Sequence, residues 1–215
     1  MAIVFGVTPS PFVRKVLVAL SEKNIPYELK PVIPPGNDAA YRQMSPLGKI
    51  PAFKDGERTL CDSSVICAYL ERVHPSPALY PTDPYDYARA LWFEEYGDSA
   101  LVGVVGPKVF LEKVLAPVFF KRPTDQAVVD KAVQEEVPPL CEYLEGQLTG
   151  DFFVGNRFSI ADIGIASPFA NYQHAGYSVD AKRFPKLAAF VKRILGRPSL
   201  AACLEEDRKM LGLAA

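Results

Sequence analysis

A serine stands between two prolines in Thr8-Pro9-Ser10-Pro11, where an apolar run (3–7) ends and a helical pattern begins. Pro11 suits a first helical turn, whose amide has no partner to lose, and this puts Ser10 at or just before the N-cap. One reading is a capping serine that contributes about 1 kcal/mol. The other uses the same geometry: a helix start offers free N–H groups and partial positive charge, so a hydroxyl there can donate to a thiolate brought by a small molecule. In "SPLGKIPAF" (45–53) a lysine, one apolar residue and a proline precede a strand. Lys49 is a solvated loop lysine or part of a site. A cis bond before Pro51 would turn the Ile50 backbone toward an open edge, able to pair with an extended peptide. In "CDSS" (61–64) Asp62 and Ser63 meet a helix start. They cap it, or they hold an α-amino and an α-carboxylate group respectively. Ser159 and Asp162 in "FSIADIG" have the spacing of a structural capping box.

Other chemistries are poorly supplied. The four cysteines, Cys61, Cys67, Cys141 and Cys203, form no CxxC pair and no zinc spacing, and read as reduced thiols. Only His74 and His174 are present, too few to expect a histidine metal site or a Ser-His-Asp triad, so no metal is expected. Lys+Arg number 24 and Asp+Glu 25, a balance that gives no electrostatic case for nucleic acid or an anionic membrane. No apolar run reaches the ~18 residues of a membrane span, and the N-terminus lacks the pattern of a signal peptide.

The elements that position these residues change character along the chain. A strand (3–5), a helix (11–23) with Phe12, Val13, Val16, Leu17 and Leu20 on one face and Arg14, Lys15 and Glu22 away from it, and a second strand (25–32) come first. A short helix (39–44) follows, then a hairpin turning on Asp55-Gly56 and a helix over 63–75, so the order is β-α-β-α-β-β-α. The proline-rich stretch 76–86 breaks the pattern. Beyond it strand signals vanish, and helices are predicted over 86–103, 124–148, 158–176 and 184–200. The expected division is residues 1–77, a linker at 78–85 and an all-helical domain over 86–215.

Taken in order, Pro-Ser-Pro-Phe, K-I-P, D-S, the proline-broken linker and S-I-A-D resemble the soluble glutathione S-transferases over nearly the whole chain. "SPFVRKV" with "EKNIPYE" is similar to the serine-type, theta- and tau-like members. The resemblance implies a thioredoxin-like first domain that binds glutathione and a helical domain that completes the electrophile site. It maps the sulfur-contacting serine onto Ser10, the lysine, backbone and cis-proline onto Lys49, Ile50 and Pro51, the acidic-Ser pair onto Asp62 and Ser63, and the capping box onto Ser159 and Asp162. Phe12 and the apolar side of "LWFEEYGDSALVGVVGPKVF" are candidate walls for an electrophile, although most of those aromatics fit a helix–helix core. Glutathione as co-substrate without a further cofactor, a homodimer and a cytoplasmic setting are implied as well. No tyrosine takes the sulfur-contacting place, no cysteine lies near Ser10, and the "SSCS" stretch of the zeta-type isomerases is absent. Thr8 and Ser10 remain alternatives for the hydroxyl. A glutathione-dependent peroxidase, dehalogenase or isomerase, or a non-catalytic interaction module, remains an alternative to conjugation.

Overall fold

A computed structural model of the chain describes residues 1–36 and 38–213. The first part is a thioredoxin-like unit. Strands β1 (Ala2–Phe5), β2 (Tyr27–Lys30), β3 (Ala52–Asp55) and β4 (Arg58–Cys61) form one sheet in the order β2-β1-β3-β4. β1 pairs parallel with β2 and antiparallel with β3, and β3 pairs antiparallel with β4. Helices α1 (Pro11–Glu22), α2 (Ala39–Met44) and α3 (Ser63–Val73) complete the expected β-α-β-α-β-β-α order. The hairpin turn lies one residue later than predicted. Asp55 still pairs with Arg58, and Gly56-Glu57 make the two-residue loop, with Gly56 supplying a left-handed φ of 59°.

The helical part is longer and less regular than its pattern suggested. α4 (Pro84–Tyr96) runs on through a π-helical stretch (Gly97–Leu101), α5 (Val102–Val104), a second π stretch (Val105–Leu115) and α6 (Ala116–Val118). α7 (Gln126–Lys131) continues through a π turn (Ala132–Glu136) into α8 (Val137–Gln147). Pro138 and Pro139 directly follow the π turn, where the Val137 amide bonds to the Ala132 carbonyl and the i−4 ladder is already interrupted, so the predicted helix survives both prolines. α9 (Ile160–His174) is the buried central helix. The segment predicted as one helix over 184–200 is two, α10 (Pro185–Leu195) and α11 (Pro198–Leu211), separated at Gly196 and Arg197.

α1 is the hinge of the architecture. Its apolar face covers the sheet, but the opposite face is not exposed as the sequence pattern implied. Arg14 and Lys15 are both fully buried. The reason is the helical domain, which packs α9 and α11 onto α1. α4 and α9 in turn meet backbone to backbone. A Cβ on Gly97 would lie 2.3 Å from the Gly164 carbonyl oxygen, so that crossing requires glycine. This close approach brings Glu94 and Asp98 up to α1.

Candidate functional site

Three chain segments leave the sheet at one edge. Phe5 at the end of β1 pairs with Ala52 at the start of β3, and Ala52 pairs with Cys61 at the end of β4. The Thr8–Pro11 turn after β1, Lys49-Ile50-Pro51 before β3 and Asp62-Ser63 after β4 therefore issue side by side. Gly6 makes the first exit possible. A Cβ there would lie 2.5 Å from Val13 Cγ2, so any side chain would push α1 off β1.

Ser10 is the N-cap of α1, with φ −73° and ψ 123°, and Pro11 follows in the first turn. Its Oγ accepts a long 3.4 Å bond from the Val13 amide. The hydroxyl proton has no acceptor among the described residues, and Ser10 is half-buried. Thr8 differs. It is 5% exposed and its hydroxyl sits against Asp207, where it helps hold that carboxyl down without forming a well-aligned bond. Of the two candidate hydroxyls, Ser10 faces outward and Thr8 faces the domain interface.

The Ile50–Pro51 bond is cis, as expected. The Lys49 carbonyl is fixed by the Tyr41 hydroxyl at 2.7 Å and the Ser45 hydroxyl at 2.8 Å. Among the described residues the Ile50 N–H and C=O have no partner, and the exposed Lys49 ammonium has none. Asp62 caps α3, accepting through Oδ1 from the amides of Ser64 (2.9 Å) and Val65 (3.2 Å). It does so at φ 75° and ψ 129°, a region that costs a residue with a Cβ about 1–3 kcal/mol. Asp62 Oδ2 is free of hydrogen bonds among the described residues, as are the N–H and hydroxyl of Ser63, the first residue of α3. The edge thus carries unused donors and acceptors at each of its three exits. Phe12, in the first turn of α1, is half-buried beside them. In the 91–110 stretch Phe93, Leu101, Val105, Val109 and Phe110 belong to the core, while Leu91 and Trp92 are exposed.

Ser159 and Asp162 form the predicted capping box of α9. Asp162 Oδ2 accepts from the Ser159 amide (2.8 Å) and hydroxyl (3.1 Å), and Oδ1 from the Phe153 amide (3.0 Å). Burial pushes this carboxyl up to about 6, against the pull of those donors.

Two charged clusters behind the edge were not legible in the sequence. Arg14 donates to Asp207 Oδ2 at 2.6 Å and to the Ser167 carbonyl at 2.7 Å, and His174 Nε2 lies 3.0 Å from the same Asp207 oxygen. Burial raises the Asp207 carboxyl, but Arg14, His174 and Thr8 outweigh it and hold the group below the usual carboxylate range. Lys15 meets Glu94 at 2.8 Å, the Ser64 hydroxyl at 2.9 Å, and Asp98. Burial works against its charge, and the two carboxylates more than restore it. The partners of Arg14 and Lys15 lie 49 to 193 residues away in sequence, beyond any local pattern. All four cysteines are free, and burial pushes the Cys141 thiol up to about 12, Cys203 up to about 11 and Cys67 higher, so none of these three supplies a thiolate near neutral pH.

Comparison with known proteins meets this geometry from another side. The family model "Glutathione S-transferase, N-terminal domain" matches residues 4–78, and "Glutathione S-transferase, C-terminal domain" matches residues 110–207. A probable glutathione S-transferase, parC, from Nicotiana tabacum is 31% identical over 211 residues, covering 94% of this chain and 89% of that protein. The GST-like protein YibF of Escherichia coli (strain K12) is 30% identical over 205 residues, covering 91% and 95%. The crystal structure of a glutathione S-transferase from Rhodospirillum rubrum F11 superimposes with a TM-score of 0.85 at 25% identity, covering 94% and 91%. These plant and bacterial relatives do not single out the theta- or tau-like branch. The exits of the sheet lie inside the first matched region and the capping box inside the second, and the chain belongs to the glutathione S-transferase family.

Proposed function

We propose that the protein conjugates glutathione to apolar electrophiles and that Ser10 holds the reacting thiolate. The observation that carries this reading is the shared sheet edge, where the Ser10 hydroxyl, the unpaired Ile50 backbone and the open start of α3 lie side by side. In this reading Ile50 pairs its N–H and C=O with the extended peptide, and the free Lys49 ammonium meets a carboxylate. The Ser63 N–H and hydroxyl hold the α-carboxylate, and Asp62 Oδ2 takes the α-ammonium.

A free thiol with a pKa near 8.5 is only about 3% ionised at pH 7. Lowering it by about 2 units, an effect of roughly 2.7 kcal/mol, makes it about three-quarters thiolate. A bond from the Ser10 hydroxyl to the charged sulfur supplies ~1.5–3 kcal/mol, and the start of α1 adds to it. The thiolate then forms a C–S bond to the electrophilic carbon; at an aryl or alkyl halide the halide departs with its electron pair, and at an activated alkene the π electrons move to the neighbouring carbon, which takes a proton from water. Residues 1–77 hold the peptide, and residues 86–215, with Phe12, wall the electrophile. No step calls for a cofactor. The functional unit is a homodimer, supported by the exposed Val65 and Val73 of α3 and Leu91 and Trp92 of α4, and sedimentation as a monomer at micromolar concentration refutes that part. The setting is the cytoplasm, consistent with free cysteines and with no described helix long and apolar enough to cross a membrane.

Calorimetric titration with glutathione, followed by product analysis on a panel of aryl halides, activated alkenes and hydroperoxides, tests the reading. Saturable binding and thioether products support it. No binding at millimolar glutathione rejects it, and binding with peroxide reduction alone reassigns the chemistry.

A further inference from the structure

The turn that carries Ser10 is unusually short of hydrogen bonds. Pro9 and Pro11 have no N–H, so two of its four residues cannot donate. The Ser10 amide donates to the Val7 carbonyl at 3.1 Å, and the Ser10 carbonyl accepts from Arg14 at 2.9 Å as the helix begins. The Pro9 carbonyl finds its partner 162 residues away, where Asn171 Nδ2 of α9 donates to it at 3.0 Å inside the protein. Among the described residues this is the one hydrogen bond from the helical domain to the backbone of the turn.

A peptide unit is planar, so holding the Pro9 oxygen also holds the nitrogen and Cα of Ser10. From that Cα the hydroxyl is aimed. We propose that Asn171 is a positioning residue for Ser10, reaching from the helical domain to fix the Pro9–Ser10 peptide plane and so the direction of the serine hydroxyl. This inference rests on the assignment of Ser10 to the thiolate.

The burial around Asn171 argues against a purely packing role. The side chain is 3% exposed, and its Oδ1 has no partner. A half-satisfied buried amide is a net cost that an apolar side chain of similar size would not incur. The same contact holds the unpartnered Thr8 Oγ1, Arg14 Nε, Ser167 Oγ and Asp207 Oδ1. Five of the six such atoms among the described residues therefore lie where the turn and α1 meet α9 and α11. Polar side chains kept at such a cost behind a reactive group fit a demand for geometry over stability.

The test is a cycle of Asn171→Leu, Ser10→Ala and the double variant, with Asn171→Ala and Asn171→Ser as smaller changes should the leucine disturb folding. Ser167→Ala, one turn earlier on α9, is the control. The thiol pKa of bound glutathione is read from thiolate ultraviolet absorbance, with circular dichroism to report the fold and steady-state kinetics alongside. Loss of the Pro9 bond is expected to raise the thiol pKa by about 1 unit and lower kcat about 10-fold below that pKa, with KM for glutathione within about 2-fold. In the Ser10→Ala background the same substitution is expected to leave the thiol pKa where Ser10→Ala put it. An unchanged thiol pKa in a folded Asn171 variant overturns the proposal. So does an equal, additive shift in the Ser10→Ala background, or an equal shift from Ser167→Ala. If Ser10→Ala itself leaves the thiol pKa at its wild-type value, the assignment of Ser10 fails, and the proposal falls with it.

Discussion

Replacing Ser10 by alanine separates the two roles its position allows. As a cap its loss is small. The bond from the Val13 amide is 3.4 Å, longer than the usual 2.7–3.2 Å, and Pro11 still starts the helix, so about 0.5 kcal/mol of stability goes with it. As a donor to a thiolate its loss is large. A bond to a charged group of ~1.5–3 kcal/mol, at 1.36 kcal/mol per unit, raises the thiol pKa by roughly 1–2 units. Below that pKa the thiolate fraction limits the rate, so turnover falls roughly 10- to 100-fold. Glutathione is still expected to bind, through Lys49, Ile50, Asp62 and Ser63. The matching change, Thr8→Val, removes a buried hydroxyl that faces Asp207, so it shifts stability and leaves the thiol pKa alone. The assay is ultraviolet titration of the thiol in the binary complex of each variant, with conjugation rates at one pH below the thiol pKa. If Ser10→Ala keeps the wild-type pKa and rate while Thr8→Val loses both, the wrong hydroxyl was chosen. If neither changes them, the start of α1 activates the thiol alone and Ser10 is only a cap.

Asp62→Ala is expected to weaken glutathione binding roughly 10- to 100-fold, the loss of a charge-assisted bond, and Asp162→Ala to leave affinity near wild type. The order reverses for stability, because Asp162→Ala strands the buried amides of Phe153 and Ser159 and costs about 3 kcal/mol or more, while Asp62→Ala loses an exposed cap worth about 1 kcal/mol. Calorimetry and denaturant melts read both, and equal effects on affinity would show the site misplaced. The Asp162 carboxyl, at about 6 in the fold against about 3.9 unfolded, binds more protons in the native state between those values. Its contribution to stability therefore declines as pH rises from about 4 to about 6, by as much as ~3 kcal/mol relative to Asp162→Asn, and a difference that grows with pH refutes the sign. Arg14→Met leaves Asp207 buried without its cation and is expected to cost about 3–5 kcal/mol in chemical denaturation. Asp207 is held below its ordinary value, so its contribution is present above about 3.9 and lost as pH falls, and this acid loss shrinks in Arg14→Met.

The first domain was legible because its signals are local. Pro11 after Ser10, the glycine after Asp55 and Asp62 before Ser63 each act within one turn, and each element they imply is present. The boundaries that moved also have local causes. β3 and β4 extend to Asp55 and Arg58 because a two-residue loop needs only Gly56 and Glu57, and 184–200 divides because Gly196 and Arg197 interrupt it before Pro198 starts a new helix. The long helix from α4 to α6 was only half visible, since π turns shift the apolar repeat and Gly103, Gly106 and Pro107 dilute it.

What stayed hidden was the back of the site. A basic pair on the outer face of an amphipathic helix reads as solvated, and most such pairs are. Arg14 and Lys15 become core residues only because a second domain lays Asp207, Glu94 and Asp98 against them, and those partners carry no mark in their own sequence windows. Each buried ion pair is weak evidence for stability by itself, since desolvation offsets attraction. A wrong docking, however, would strand four buried charges and the half-buried Asp98. The clusters therefore act on specificity of assembly: they admit one seating of the helical domain on α1. That seating also sets Asn171 against Pro9 and Thr8 against Asp207. The domain that carries none of the residues proposed to hold glutathione thus reaches, through Asn171, the turn from which Ser10 projects.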